Sequence, residues 1–325
     1  MAEIVFGMAV PHSGILGKDP DTWPEDRERD MSDKREMWYR LRPWKFKELT
    51  EERRNEGFEA LITPEERRRR YDKCQVALDK MRQAYADAKV DVAVILGKDQ
   101  KEIFMDFSPT LAIYTGEEIY NGPPGRSVYA PPTPMTHKAH PELAVHLIGS
   151  LKNAGFDLTD LFKWPPNTWL KNEPIVPHAY GFVIHQIMRD NPPPCVPVLI
   201  NCFYPPTQPS MSRCIQFGEA LAAAIRSWPR NLRVAVIASG GLTHFVCDEA
   251  QDAIFLKLLK DADLDGFARI DERIYQSGTS ELKLYVPVLQ AMAGTPMTLV
   301  DYVPCYRSEA GTGEGMAFMY WANGK

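Results

Sequence analysis

Three segments of this chain place polar side chains directly after apolar, strand-like runs. Residues 3 to 10 (EIVFGMAV) end in Pro11-His12-Ser13-Gly14, and residues 91 to 96 (DVAVIL) end in Gly97-Lys98-Asp99-Gln100. Residues 233 to 239 (RVAVIAS) end in Gly240-Gly241-Leu242-Thr243-His244. Ligands of open α/β sheets bind beyond the carboxyl ends of the strands, so the three turns are expected to share one cleft. Glycine permits close backbone approach and unusual φ, which aims the side chain that follows. One histidine behind a strand is more often a hydrogen-bonded structural residue. Three such turns in one chain point to a site.

The elements that must position these turns are legible from periodicity. Thr63-Pro64-Glu65-Glu66 is a helix start: a capping Thr, Pro at the first helical position, and acids in the first turn. The helix is expected to reach about Ala88, with Tyr71, Cys74, Ala77, Leu78 and Met81 as its apolar stripe. Residues 110–114 and 196–202 read as further strands. Residues 141–154, 178–189, 210–228 and 248–260 read as helices, as does 281–293, interrupted by Pro287. Residues 297–303 and 316–321 close the chain as strands. Gly311 to Gly315 lacks the Lys-Ser/Thr ending of a phosphate loop and reads as a turn between strands. No Gly-x-Ser-x-Gly elbow is present, which argues against an α/β-hydrolase. Strands alternating with helices, without an internal repeat, predict an α/β fold: one layered domain over residues 1–325, with a central, mostly buried sheet flanked by helices.

Composition narrows the function classes. With 44% hydrophobic and 25% charged residues the chain can bury a sizeable core. A formal charge of −5 disfavours nucleic acid or an anionic membrane as partner. No apolar run approaches the roughly 20 residues that cross a bilayer. The beginning MAEIVFGMAVPHSG reads as a first strand rather than a signal peptide, so a cytoplasmic protein is expected. The six cysteines form no CxxC pair and are expected to be reduced, mostly buried thiols. The 27 prolines fall in short clusters such as Pro192 to Pro194, which mark ordered loops. Residues 18–85 stand apart as a charged, largely helical insertion. Its arginine run, Arg67 to Arg70, reads as a solvated helix face. Its aromatics, Trp23, Trp38, Tyr39, Trp44 and Phe46, are expected to dock it on the main body, over the cleft mouth.

Several blocks together resemble a known family. They are Asn201-Cys202-Phe203-Tyr204-Pro205-Pro206, Pro209-Ser210 and Arg213-Cys214, leading to Ser239-Gly240-Gly241-Leu242-Thr243-His244. His12, His140-Pro141-Glu142-Leu143-Ala144, Pro177-His178, Ser277-Gly278-Thr279-Ser280-Glu281 and Gly311 to Met316 support them. The chain resembles the class III extradiol ring-cleavage dioxygenases of the LigB type, such as the catalytic β-subunit of protocatechuate 4,5-dioxygenase. The likeness covers nearly the whole chain except about residues 18 to 85. It implies an Fe(II) centre built from two histidines and one carboxylate, open to a catecholate and dioxygen. It places His12 and Glu281 on the metal, makes His244 the acid/base near substrate, and makes His178 a substrate-facing hydrogen-bond partner. A histidine titrating near neutrality can take a catechol proton and later return one. His137, His140, His146 and His185 are read as surface or packing residues.

The departure is at the second histidine ligand, where the family pattern is Asp-His and this chain has Asp99-Gln100. The amide oxygen of Gln100 is a weaker, neutral ligand, better suited to harder cations. The metal is then held by His12, Gln100 and Glu281, by His12, Glu281 and a neighbour such as Asp99, or not at all. The function expected is a dioxygenase opening a catechol-like ring with O2 at Fe(II); the alternatives, in order, are a non-oxidative hydrolase, lyase or decarboxylase on a phenolic or carbonyl substrate, and a silent subunit. The partners expected are a small aromatic substrate, O2 and a second copy of the chain in a homodimer.

Overall fold

The computed structural model describes residues 1–32, 37–122, 128–169 and 173–322. Its strands in chain order are β1 (Glu3–Val10), β2 (Met37–Tyr39), β3 (Arg42–Trp44), β4 (Val92–Gly97), β5 (Leu111–Tyr114), β6 (Glu118–Asn121) and β7 (Met135–Lys138). They continue with β8 (Thr159–Leu161), β9 (Cys195–Ile200), β10 (Arg233–Ser239), β11 (His244–Val246), β12 (Met297–Tyr306) and β13 (Thr312–Ala322). The helices are α1 (Trp23–Met31), α2 (Phe46–Glu52), α3 (Pro64–Ala88), α4 (Pro141–Asn153) and α5 (His178–Phe182). After them come α6 (Met211–Arg226), α7 (Glu249–Asp261), α8 (Leu264–Arg269) and α9 (Leu282–Ala291).

One mixed sheet organises the chain, in the order β11-β13-β1-β10-β4-β9-β5-β8, with β12 also paired to β13. Its centre, β1-β10-β4-β9, is parallel throughout, so four strand ends open on the same edge. These strands read as unbroken apolar runs because both faces are covered. Side chains alternate across a strand, and β4 shows the result: Val92, Val94 and Leu96 enter one core cluster while Ala93 and Ile95 enter the other. The first cluster includes the apolar faces of α4, α6 and α9; the second includes those of α3 and α5. This is the layered α/β arrangement expected, and among the described residues no helix is long and apolar enough to cross a membrane.

Several boundaries differ from the expectation. The helix expected over 178–189 is α5 followed by a single wider π-type turn at Val183–Ile187. Helix α9 continues through Pro287 instead of stopping there. Gly311 sits in the β12–β13 turn, but Gly313 and Gly315 already belong to β13, where a side chain would strike Cys305 O or Asp252. The arginine run is not wholly solvated. Arg68 and Arg69 face solvent, whereas Arg67 and Arg70 are buried by the helical period, with Arg70 over the Tyr306 ring. All six cysteines are free and buried.

The charged segment docks through its aromatics. Trp23 is buried in the core beside α3, the Trp38 indole donates to Arg273 O at 2.7 Å, and Phe46 packs with Val246 and Ala310. Asp30 of α1 accepts two bonds from the Arg307 guanidinium, at 2.7 and 3.1 Å, and both residues are buried. The segment includes the β2–β3 hairpin as well as helices.

Helices α6 and α9 meet at Gly218, where a Cβ would fall 2.6 Å from Pro287 Cα. Glu281 immediately precedes α9. Gly218→Ala must push the helices apart, and overpacking of this kind costs about 1–3 kcal/mol. Chemical denaturation should show a lowered midpoint at unchanged slope; an unchanged midpoint would mean that the helices have room to spare.

Candidate active site

The three strand-end turns do converge. His12 follows β1, Gln100 follows β4 and His244 opens β11, and all three line one cavity of about 480 Å³ together with His178 and Glu281. Tyr129, Trp169, Phe203, Tyr204 and Phe245 give it aromatic walls. Lys18, Asp26 and Arg29 of the charged segment also line it, as do Arg307 and Glu314. The close approach expected of the glycines is real: a Cβ on Gly240 would lie 2.6 Å from Glu281 Oε2.

Glu281 is the hub. It is fully buried; its Oε2 accepts the Gly241 N–H at 2.7 Å, and its Oε1 faces Lys98 Nζ at 2.7 Å, His244 Nε2 at 3.3 Å and His12 Nε2 at 3.4 Å. Burial alone would push this carboxyl up, but Lys98, then His12 and His244, outweigh it and hold the group well below its ordinary range. Lys98 is itself fully buried, its ammonium 4.3 Å from the Phe203 ring centre. Removing one partner of a buried ion pair costs roughly 3–5 kcal/mol, so neither residue is a spectator.

Hydrogen bonds fix the protons on the imidazoles. Ser239 Oγ gives its only hydrogen to Ala179 O at 2.6 Å, so the 3.1 Å contact with His12 Nδ1 requires an N–H from His12. The lone pair of neutral His12 is therefore on Nε2. Burial, the largest effect on His12, lowers its pKa although Glu281 opposes it. His178 donates its backbone N–H to Glu102 Oε2 at 2.8 Å and its Nδ1–H to Glu102 Oε1. Its Nε2 stands 3.2 Å from His12 Nε2, so with both Nδ1 hydrogens committed the two lone pairs face one gap. His244 donates Nδ1–H to Leu242 O at 2.9 Å, which leaves Nε2 toward Glu281. Burial acts to lower the His244 pKa, but Glu281 and then Glu314 overcome it and raise it.

An Fe(II) centre of two imidazoles and a carboxylate needs their lone pairs on one point. The residues present do not fit it. Gln100 lines the cavity, and among the described residues no hydrogen bond or ion pair joins it to His12 or Glu281. Asp99, the other candidate, is committed to its own turn: its oxygens accept backbone N–H groups from Lys101, Glu102 and Ile103 at 2.9 to 3.0 Å. An ammonium occupies the near side of Glu281, and the His12 lone pair meets His178. No three His, Cys, Asp or Glu side chains among the described residues are grouped to hold one ion.

Sequence reasoning missed Lys98 and Glu102. Lys98 had a visible signal, a cation directly behind a wholly buried strand. Glu102 had none, since its partner His178 lies 76 positions away. Of the histidines read as packing residues, His140 caps α4 and His185 donates to Asp190 at 2.8 Å.

Asp252 anchors the turn that carries His244. It accepts from the Thr243 N–H at 2.9 Å, the Thr243 hydroxyl at 2.8 Å and the Tyr302 hydroxyl at 2.7 Å, and burial pushes its carboxyl up to about 7. A carboxyl raised on folding binds a proton in the native state that the unfolded chain has lost, so stability falls as pH rises from about 4 to about 7. Asp252→Asn should gain a few degrees of melting temperature relative to wild type between pH 5 and pH 8. Parallel melting curves for the two proteins would sink the assignment.

Comparison with known proteins agrees with the resemblance. Residues 60–308 match the family described as the catalytic LigB subunit of aromatic ring-opening dioxygenase. Gallate dioxygenase of Pseudomonas putida is 43% identical over 58 residues, 16% of this chain and 17% of that protein. A crystal structure of an uncharacterized Escherichia coli protein aligns with 74% of this chain and 91% of its own, at 17% identity and a TM-score of 0.48. The family match spans most of the sheet and the strand-end turns at Gln100 and His244, together with His178 and Glu281; this chain belongs to the LigB family of aromatic ring-opening dioxygenases.

Proposed function

We propose that this chain is an enzyme for small phenolic aromatic substrates that works by proton transfer through His244 and His178, without oxygen, as a hydrolase, lyase or decarboxylase on the ring-opening scaffold. The observation that carries this reading is the arrangement of imidazole nitrogens around Glu281. His244 turns Nε2 toward Glu281 Oε1, and the Nε2 atoms of His12 and His178 face one another, on the wall of the same aromatic-lined cavity. One imidazole is thus set to give a proton and a second pair is set to receive one.

In this reading the aromatic walls hold the ring of the substrate. The His12–His178 pair takes the proton of a phenolic hydroxyl, and Glu102 holds the positive charge that collects on His178. His244 donates to the carbon or oxygen that gains charge as the bond breaks, and Glu281 keeps His244 oriented. Lys18, Asp26 and Arg29 cover one side of the cavity, which is the role proposed for the charged segment.

A second reading, an extradiol-type dioxygenase opening a catechol-like ring with O2 at Fe(II), draws on the family membership and on one distance. His12 Nε2 and Glu281 Oε1 still face one another at 3.4 Å.

Turnover of a panel of phenolic carboxylates and catechols, followed by liquid chromatography under argon and under air, separates the two. Equal rates are expected, with His244→Asn and His178→Asn each lowering kcat about 100-fold or more. Product that appears only with stoichiometric oxygen uptake would establish the dioxygenase instead.

A further inference from the structure

We propose that Lys98 is the resident cation of this site, an internal ammonium that takes the electrostatic place of a divalent metal ion and makes the site metal-independent. Three features carry this. Lys98 is the first residue beyond β4, and its side chain is fully buried beneath Glu281 and Phe203. Its Nζ is the nearest charged group to Glu281 Oε1, at 2.7 Å, inside the two imidazole contacts at 3.3 and 3.4 Å. Neither Nζ nor Oε1 has a directed hydrogen bond among the described residues, so the contact is one of charge on charge.

The physical need is simple. A carboxylate removed from water must have a counter-cation, supplied either by a bound ion or by the chain. Here the chain supplies it. A divalent ion on Glu281 Oε1 would lie within a few ångströms of a fixed ammonium in a poorly screened interior, where like charges repel strongly. Gln100 and Lys98 stand two positions apart in one turn: the amide replaces the imidazole that the family pattern has, and the lysine supplies charge to Glu281. The Lys98–Glu281 pair is formally neutral, one unit less positive than Glu281 with a divalent ion. A phenol entering this site is therefore bound as the neutral acid, and its proton passes to the histidines rather than being lost beforehand. This last step rests on the proton-transfer reading above; the cation assignment does not.

The test is anaerobic calorimetric titration with Fe(II) and Co(II), with the Co(II) absorption spectrum recorded in parallel. Wild type, Lys98→Met and Lys98→Met/Gln100→His are compared. Wild type is expected to bind neither ion below about 1 mM. The double variant is expected to bind one Co(II) at least about 100-fold more tightly, with visible ligand-field bands and a raised melting temperature. Micromolar, stoichiometric binding by wild type would overturn the proposal, as would a folded double variant that gains no affinity. Should the variants fail to fold, the wild-type titration decides alone. The outcome is separable from that for the reaction: metal-free protein that still consumes oxygen defeats only the proton-transfer reading, whereas metal-bound protein that turns over under argon defeats only the cation assignment.

Discussion

A carboxylate with no access to water is one of the least tolerable groups a fold can contain, and Glu281 is such a group. Everything near it is arranged as an answer. Lys98 gives the charge, Gly241 gives a backbone donor, and His12 and His244 turn their outer nitrogens toward it. The glycine before that donor is also required, because any side chain on Gly240 would enter the carboxylate's space. The hub in turn fixes its surroundings. His12 is braced by Ser239, and through its Nε2 it meets His178, which Glu102 holds from the far side. The result is a chain of contacts from the end of β10 to the start of α5, all out of bulk water.

The sheet makes this possible. Parallel strands β1, β10, β4 and β9 end side by side, so residues far apart in sequence arrive at one edge without long loops. Core burial on both faces makes that edge rigid. Each large aliphatic side chain fully buried there is worth about 1.5–3 kcal/mol, far more than any single polar contact in the site is worth net. The site is therefore imposed on its residues by the layers beneath it, and the cost of assembling like charges is carried by the core.

Much of this architecture was legible in the sequence, for identifiable reasons. DVAVIL and RVAVIAS can satisfy their apolar content only between two covered faces, and they became β4 and β10. Thr63-Pro64-Glu65-Glu66 carries a complete start signal, and α3 begins there, with the Thr63 side chain accepting from Glu66 N–H. What could not be read was set by partners distant in sequence. His244 begins a short strand only because β13 lies alongside to pair with it. The β2–β3 hairpin holds because its apolar side packs on Val246 and Ala310. Arg67 and Arg70 separate from Arg68 and Arg69 because a helix assigns neighbours to different faces, whatever their charge. Lys98 had a readable signal that a comparison focused on Gln100 passes over, since its meaning appears only when Glu281 is placed beside it.

The buried clamp between Arg307 and Asp30 gives the cavity a particular temperament. Arg307 lines the chamber, while Asp30 belongs to α1 of the charged segment, so one guanidinium fork is at once wall and fastening. Swinging the segment outward would part this buried pair and leave Arg307 without its counter-charge. Wall and fastening are thus one device, and whatever loosens the clamp also reshapes the chamber.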